Sequence, residues 1–271
     1  MTHSLQPSHS GDWPIPSPLD PDPQAAIGFV LRIGEALHKT GYAAHRIEAV
    51  MERVSSQLGL NGHFFATPTS IMAAFGPIER QRTHLLRLGA ADDDMGRLAD
   101  LDEVMGYVMK GEISPAEGSQ RIDRIMAAPP RYRGILMVIA YGLTSAAGAR
   151  FLQGGWKEIA AAAGVGLLVG LLSELASRVA PLGRVFIPLA AFLAALGSAL
   201  LAAWIPGLTV FLVTLSGLIV LLPGWTLTTG MTELATRHLL AGMARLSGAF
   251  MLLISIVVGM AVGLKVAGYI V

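Results

Sequence analysis

A chain of 271 residues with 53% hydrophobic and only 14% charged residues, and a mean hydropathy of +0.56, is too apolar for an ordinary water-soluble enzyme. A formal net charge of +1 argues against a nucleic-acid partner, and the lack of cysteine excludes disulfides and thiolate metal sites. The charge is uneven: Met1–Arg133 holds 13 Lys/Arg against 16 Asp/Glu, and Gly134–Val271 holds 7 against 3. One half reads as a water-facing domain and the other as a membrane domain.

Residues 1–23 (SGDWPIPSPLDPDP within them) bury little apolar surface and are expected to form a disordered, Pro-rich tail. They show no charged-then-apolar run of a cleavable signal peptide. From Gln24 the period turns helical, with Ile27, Leu31, Gly34 and Leu37 on one face and Gly41 as the stop. Ala43–Leu58 is a second predicted helix, with Ile47, Val50, Met51, Val54 and Leu58 inward. His63–Phe75 changes period and predicts two extended pieces around Thr67-Pro68. Gly76-Pro77 is the turn to a further strand over 82–88. Asp92-Asp93-Asp94 caps a helix running to about Lys110, and Ser114-Pro115 starts another that ends near Ala128. The expectation is an α+β domain over 24–130 followed by a transmembrane helical bundle over 131–271.

Five spans are predicted: Gly134–Gln153, Ile159–Ser177, Val185–Ile205, Leu208–Leu222 and Ser247–Tyr269. The fourth is short, and Pro206-Gly207 and Pro223-Gly224 bracket it, the pattern of a discontinuous helix in a transporter. With the polar half cytoplasmic, the inner flanks hold Arg131, Arg133, Arg178, Arg184, Arg237 and Arg245, and the outer flanks hold Arg150, Lys157 and Lys265. That bias predicts a multi-pass protein with a cytoplasmic N-terminus.

The stretch 221–246, LLPGWTLTTGMTELATRHLLAGMARL, interrupts the membrane pattern. Pro223-Gly224 ends the apolar run, and freed backbone groups there must face protein or water. Thr228, Thr232 and Thr236 step by four, as do Thr229, Glu233 and Arg237, which predicts one polar face opposite Leu227, Met231, Leu234 and His238. Glu233 before Arg237 is the favourable order for a helical ion pair. Spacing alone leaves two readings: an amphipathic helix lying in the interface, or a helix start that turns hydroxyls and amides toward an anionic solute. Glu174 is the one carboxylate well inside a predicted span, a proton-coupling candidate, and its distance of four residues from Arg178 equally fits a plain ion pair. Gly166-x-x-x-Gly170 and Gly259-x-x-x-Gly263 are faces suited to close helix contact, within the chain or between copies. The histidines form no metal-ligand pattern, and neither a phosphate-binding loop nor a nucleophile elbow is present. No cofactor, metal or catalytic residue is expected.

Three segments together resemble the threonine/serine exporter (ThrE) family of bacterial and fungal membrane proteins. They are ALHKTGYAAHRIEAVMERVSSQLGL with its Gly41 break, TPTSIMAAF (Thr67–Phe75), and LLPGWTLTTGMTEL followed by GMARL. The resemblance implies a secondary exporter of small hydrophilic metabolites, amino acids such as threonine and serine or dicarboxylates such as succinate, in the plasma (bacterial inner) membrane. Because the chain stops after one bundle, it resembles the split form, whose partner is a separate membrane subunit of about four spans. By position, the resemblance marks Pro223, Gly224, Arg245, Gly41, Glu48 and Thr69. The expected substrate-binding set is Pro223, Gly224, Thr228, Thr229, Thr232, Arg237 and Arg245, with Glu174 and Glu233 as proton carriers. The rival readings are a membrane-anchored enzyme using His45, Glu48, Thr67 and Thr69, and a metabolite sensor acting through the N-terminal domain. Expected partners are the small-molecule substrate, the lipid bilayer, the second subunit and a second copy of the chain, and not nucleic acid.

Overall fold

The computed structural model describes residues 22–270 apart from 90, 92, 130, 131 and 133. Most of the expected tail, together with Asp92, Arg131 and Arg133, therefore lies outside the described residues. Contacts divide the chain into two compact units, Met1–Ala128 and Pro129–Val271.

In the first unit, α1 (Pro23–Lys39) starts one residue earlier than expected. The Asp22 carboxylate accepts the Gln24 N–H at 3.0 Å, and Pro23 fills a first-turn position whose N–H has no helical acceptor. α1 buries Phe29, Val30, Ile33 and Leu37 against α2 (Ala44–Gln57) and α4 (Pro115–Ala127). Asp94 Oδ1 accepts the Arg97 N–H at 2.9 Å and starts α3 (Met95–Met109), and Ser114 caps α4. The extended pieces form an antiparallel sheet, β1 (Gly62–Thr67), β2 (Ser70–Phe75) and β3 (Arg82–Arg87), in the order β1-β2-β3. Ile71, Ala73 and Phe75 are buried on one face, where Phe75 meets Phe64 and His84 edge-on at 5.5 and 5.8 Å.

The second unit holds α5 (Ile135–Phe151), α6 (Trp156–Arg178), α7 (Ala180–Trp204), α8 (Val210–Leu218, then one 3₁₀ turn to Leu221), α9 (Gly224–Ala235) and α10 (Leu239–Ile270). α6 packs on α5, α7 and α8, and α10 packs on α7 and α9. The core is built from small side chains, among them Ala149, Ala162, Ala190, Ala191 and Ala194, so helix backbones approach closely. A Cβ on Gly166 or Gly170 would collide with Tyr141 of α5, and one on Gly259 or Gly263 would collide with the carbonyls of Pro188 or Phe192 of α7. Both small-residue faces are thus contacts inside the chain.

The spans differ from expectation in two ways. α6, α7 and α10 are long and apolar enough to cross a membrane, and α8 with α9 makes a fourth segment if that pair, bent by 60°, counts as one span. α5 is apolar but has 17 residues; at 1.5 Å per residue it covers about 26 Å of a roughly 30 Å hydrocarbon layer. The last helix begins at Leu239 and not at Ser247. Its 32 residues reach about 48 Å, so part of it lies beyond the hydrocarbon layer or tilts within it.

Candidate functional site

The stretch 221–246 forms a broken helix followed by a tight helical hairpin. Pro223 offers no N–H, and Gly224 N–H closes a short turn onto the Leu222 carbonyl at 2.8 Å. The chain bends by 60° there and resumes as α9. α9 stops at Ala235 because the backbone closes a complete C-terminal cap. His238 N–H reaches the Glu233 carbonyl at 2.8 Å and Arg237 N–H reaches the Leu234 carbonyl at 3.1 Å. The cap needs a left-handed residue, and here it is Arg237, with φ of 66°. A side chain in that region costs about 1–2 kcal/mol where glycine costs nothing.

α10 then folds back along α9. Gly230 and Gly242 let the helices touch: a Cβ on Gly242 would lie 2.8 Å from the Gly230 carbonyl oxygen, and one on Gly230 would lie 3.3 Å from the Arg245 Cβ. One turn beyond these glycines, Glu233 and Arg245 meet. Arg245 Nε lies 3.2 Å from Glu233 Oε1, which accepts its hydrogen bond, and 3.1 Å from Oε2. The Glu233 side chain is 0% exposed and that of Arg245 is 14% exposed. An ion pair so removed from water persists only when each charge satisfies the other.

This pairing corrects the expected one. Glu233 and Arg237 share a helical spacing, but the helix ends between them, so Arg237 is displaced to the exposed turn. The expected single polar face is also split. Thr229 and Glu233 are buried with Gly230, whereas Thr228, Thr232 and Thr236 are exposed. Each of those three hydroxyls donates to the carbonyl four residues back, at 2.9, 2.9 and 3.0 Å. A hydroxyl so engaged keeps acceptor capacity but must rotate before it donates to a carboxylate.

The family model described as "Putative threonine/serine exporter" matches residues 28–267. The chain belongs to that family. It is a family of membrane exporters of small metabolites, not of enzymes. This ThrE-family chain is 29% identical over 249 residues to pheromone-regulated membrane protein 10 of Candida albicans, covering 89% of the chain and 22% of that relative. It is 29% identical to the protein of the same name in Kluyveromyces lactis and 27% identical to that in Eremothecium gossypii, covering 26% and 33% of those relatives. The chain thus spans between a fifth and a third of the length of these curated relatives. No solved structure matches it.

Outside the hairpin, the expected candidates have structural partners. Glu174, on α6, accepts the Arg178 guanidinium at 2.7 Å through Oε1 and the Gly134 N–H at 3.0 Å through Oε2. It ties the start of α5 to the end of α6. Gly41 has φ of 78°, and a Cβ there would collide with the Asp93 carboxylate. Glu48 Oε1 accepts the Ala66 N–H of β1 at 2.7 Å, occupying a donor on the outer edge of the sheet. Thr69 is exposed in the β1–β2 turn, where its carbonyl accepts the Leu88 N–H at 2.8 Å. Thr67 Oγ1 is engaged with Ser70. Apart from Glu174 on α6, these residues stand at three separate places: Gly41 in the α1–α2 turn, Glu48 on α2, and Thr67 and Thr69 at the β1–β2 turn.

Helical spacing does not reveal the Glu233–Arg245 pair, because the two residues stand on different helices. A signal is nonetheless present: each helix carries a glycine three residues before the charge, Gly230-x-x-Glu233 and Gly242-x-x-Arg245, on either side of Thr236-Arg237-His238.

Proposed function

We propose that this chain is a secondary exporter subunit for a small zwitterionic metabolite, an amino acid of the threonine or serine kind, with the substrate site at the α8–α9 break and the α9–α10 hairpin. The observation that carries the reading is the buried Glu233–Arg245 pair beside a bent, Thr-rich helix. A site holding one anion and one cation side by side complements an α-amino acid. The substrate carboxylate takes Arg245, and its ammonium, or a proton, takes Glu233. A dicarboxylate brings a second negative charge against Glu233 and binds only after that residue is protonated. Without substrate the two side chains satisfy each other, which lets the empty carrier reset without an uncompensated charge. Pro223 and Gly224 keep the backbone open at the break, Thr229 supplies polar lining beside Glu233, and Thr228 and Thr232 stand on the outward side of the same helix. In this reading Glu233, not Glu174, is the proton carrier. Arg237, held outside the hairpin contact, takes part in attraction and not in the bound state.

The bias of Lys and Arg toward one set of span ends supports a cytoplasmic N-terminus, and the proposal places the chain in a plasma (bacterial inner) membrane. The proposal also includes a further bundle of about four spans as partner, whether on the same polypeptide or another. The test is efflux from proteoliposomes containing the chain with such a partner, loaded with threonine, serine or succinate, with and without a proton gradient. The expected order is threonine and serine ahead of succinate, with Glu233→Gln shifting the preference toward succinate. Preferred export of succinate by the unaltered protein overturns the assignment.

One observation favours a regulatory role for the first unit alongside this. A groove of about 380 Å³ is lined by Leu37, Tyr42, Val50, Leu98, Asp102 and Met105. Metabolite binding to the full chain that Asp102→Ala abolishes without changing basal efflux supports the sensor reading.

A further inference from the structure

The sheet of the first unit has a second face that its core does not use. The register places Phe65, Met72 and Leu85 directly opposite one another across the three strands. They are 52%, 44% and 68% exposed and form one continuous apolar row. The rows beside it are His63, Ala74 and Thr83 on one side and Thr67, Ser70 and Arg87 on the other. The strands GHFFAT, SIMAAF and RTHLLR contain no carboxylate; of their ionisable residues, His63 and Arg87 share the face of the apolar row, whereas Arg82 and His84 stand opposite Phe75 and Ala73 on the core face. The β2–β3 connection adds Arg80, Glu79 and Ile78, the last 85% exposed. This cationic patch sits in the half of the sequence where acidic residues outnumber basic ones.

A contiguous exposed apolar row marks a surface with a partner. The charge around it decides what kind. A second copy docking face to face would set Arg87 and His63 against basic or neutral groups, with no carboxylate on the strands to receive them. A surface that is apolar within and anionic at its boundary meets both features at once, and the headgroup layer of an anionic bilayer is such a surface. We propose that the Phe65–Met72–Leu85 face, with His63 and Arg87 in the rows beside it and Arg80 in the β2–β3 connection, rests on anionic lipid headgroups.

The lack of native cysteine makes a direct test simple. The full chain carrying Leu85→Cys, Met72→Cys or, as control, Glu112→Cys is labelled with a fluorophore. Each is placed in nanodiscs of phosphatidylcholine alone or mixed with phosphatidylglycerol. A lipid-borne quencher is expected to act several-fold more strongly at 85 and 72 than at 112 in the mixed discs. Raised salt, or Arg80→Glu with Arg87→Glu, is expected to remove the difference. Equal quenching at 85, 72 and 112 in mixed discs overturns the proposal, and equal quenching in phosphatidylcholine alone overturns its anionic part. Protection from aqueous iodide that persists in detergent, without lipid quenching, assigns the face to a protein partner and also overturns it.

Discussion

The sequence Glu-x-x-x-Arg occurs twice in the membrane half, as Glu174–Arg178 and as Glu233–Arg237. At the first, α6 continues through both residues and the pair forms, with side chains 20% and 69% exposed. At the second, α9 ends at Ala235 and Glu233 turns instead to Arg245 on the next helix, where it is 0% exposed. The same spacing yields a surface tie in one place and a buried interhelical bond in the other. What separates them is the cap at Arg237. The difference teaches that ion-pair spacing is informative only while the helix carrying it persists, and that the pair on which the proposed site rests is the one spacing does not reveal.

The sharpest way to break this comparison is to remove one partner of the buried pair. Arg245→Ala or Glu233→Ala leaves a charge without its counter-ion and is expected to destabilise the hairpin by about 3–5 kcal/mol, measured by denaturant or thermal unfolding in detergent. Glu233→Gln combined with Arg245→Met is expected to recover most of that stability yet leave efflux abolished. A loss below about 1 kcal/mol in either single variant would show that water reaches the pair.

Next in size is the helix contact that allows the pair to form. Gly242→Val drives a side chain into the Gly230 carbonyl and is expected to cost about 1–3 kcal/mol. Gly248→Ala, where a Cβ meets nothing within 4 Å, is expected to be neutral or to stabilise by up to about 1 kcal/mol. Equal effects at the two positions would remove the close approach from the account.

A smaller effect is expected at the surface tie. Glu174→Gln keeps an acceptor for the Gly134 N–H and loses a half-solvated ion pair, costing no more than about 1 kcal/mol, with efflux and its proton dependence retained. Loss of proton coupling in a stable Glu174→Gln protein would return the carrier role to Glu174. The smallest effect is at the cap itself. Arg237→Gly relieves the left-handed strain and is expected to add about 0.5–1 kcal/mol to stability, read as a raised unfolding temperature. A drop in stability would mean that the Arg237 side chain makes a contact the exposed turn does not show.

The two units also differ in how far their packing is legible in the residues. In the first, large apolar side chains such as Phe29, Ile33, Met51 and Leu101 form the core; the helical period marks the buried face of α2 at Ile47, Met51 and Val54, whereas on α1 the expected Ile27 and Leu31 are only partly buried and Phe29, Val30 and Ile33 carry the core. In the second, apolar residues face both protein and the outside, as Leu171, Phe250 and Val257 do at more than half exposure. Apolarity therefore does not say which face packs. Glycine and alanine do, because without a hydrophobic force between helices in lipid, close backbone approach decides the contact.

From sequence alone came the division into two halves, the helix starts at the Asp92-Asp93-Asp94 run and at Ser114, the strand pair around Thr67-Pro68, the break at Pro223-Gly224, and the family. All except the first and the last rest on near neighbours: a capping carboxylate, a hydroxyl, a missing N–H, a period of two or 3.6. Tertiary structure alone decided that α10 begins at Leu239, that Thr229 is buried while Thr228 and Thr232 are not, that Glu174 holds the start of α5, and that Glu233 belongs to Arg245. Glu233 and Arg245 come together only when the turn over Thr236-Arg237-His238 closes and Gly230 meets Gly242. No local rule registers a contact between residues whose adjacency the reversal of the chain creates.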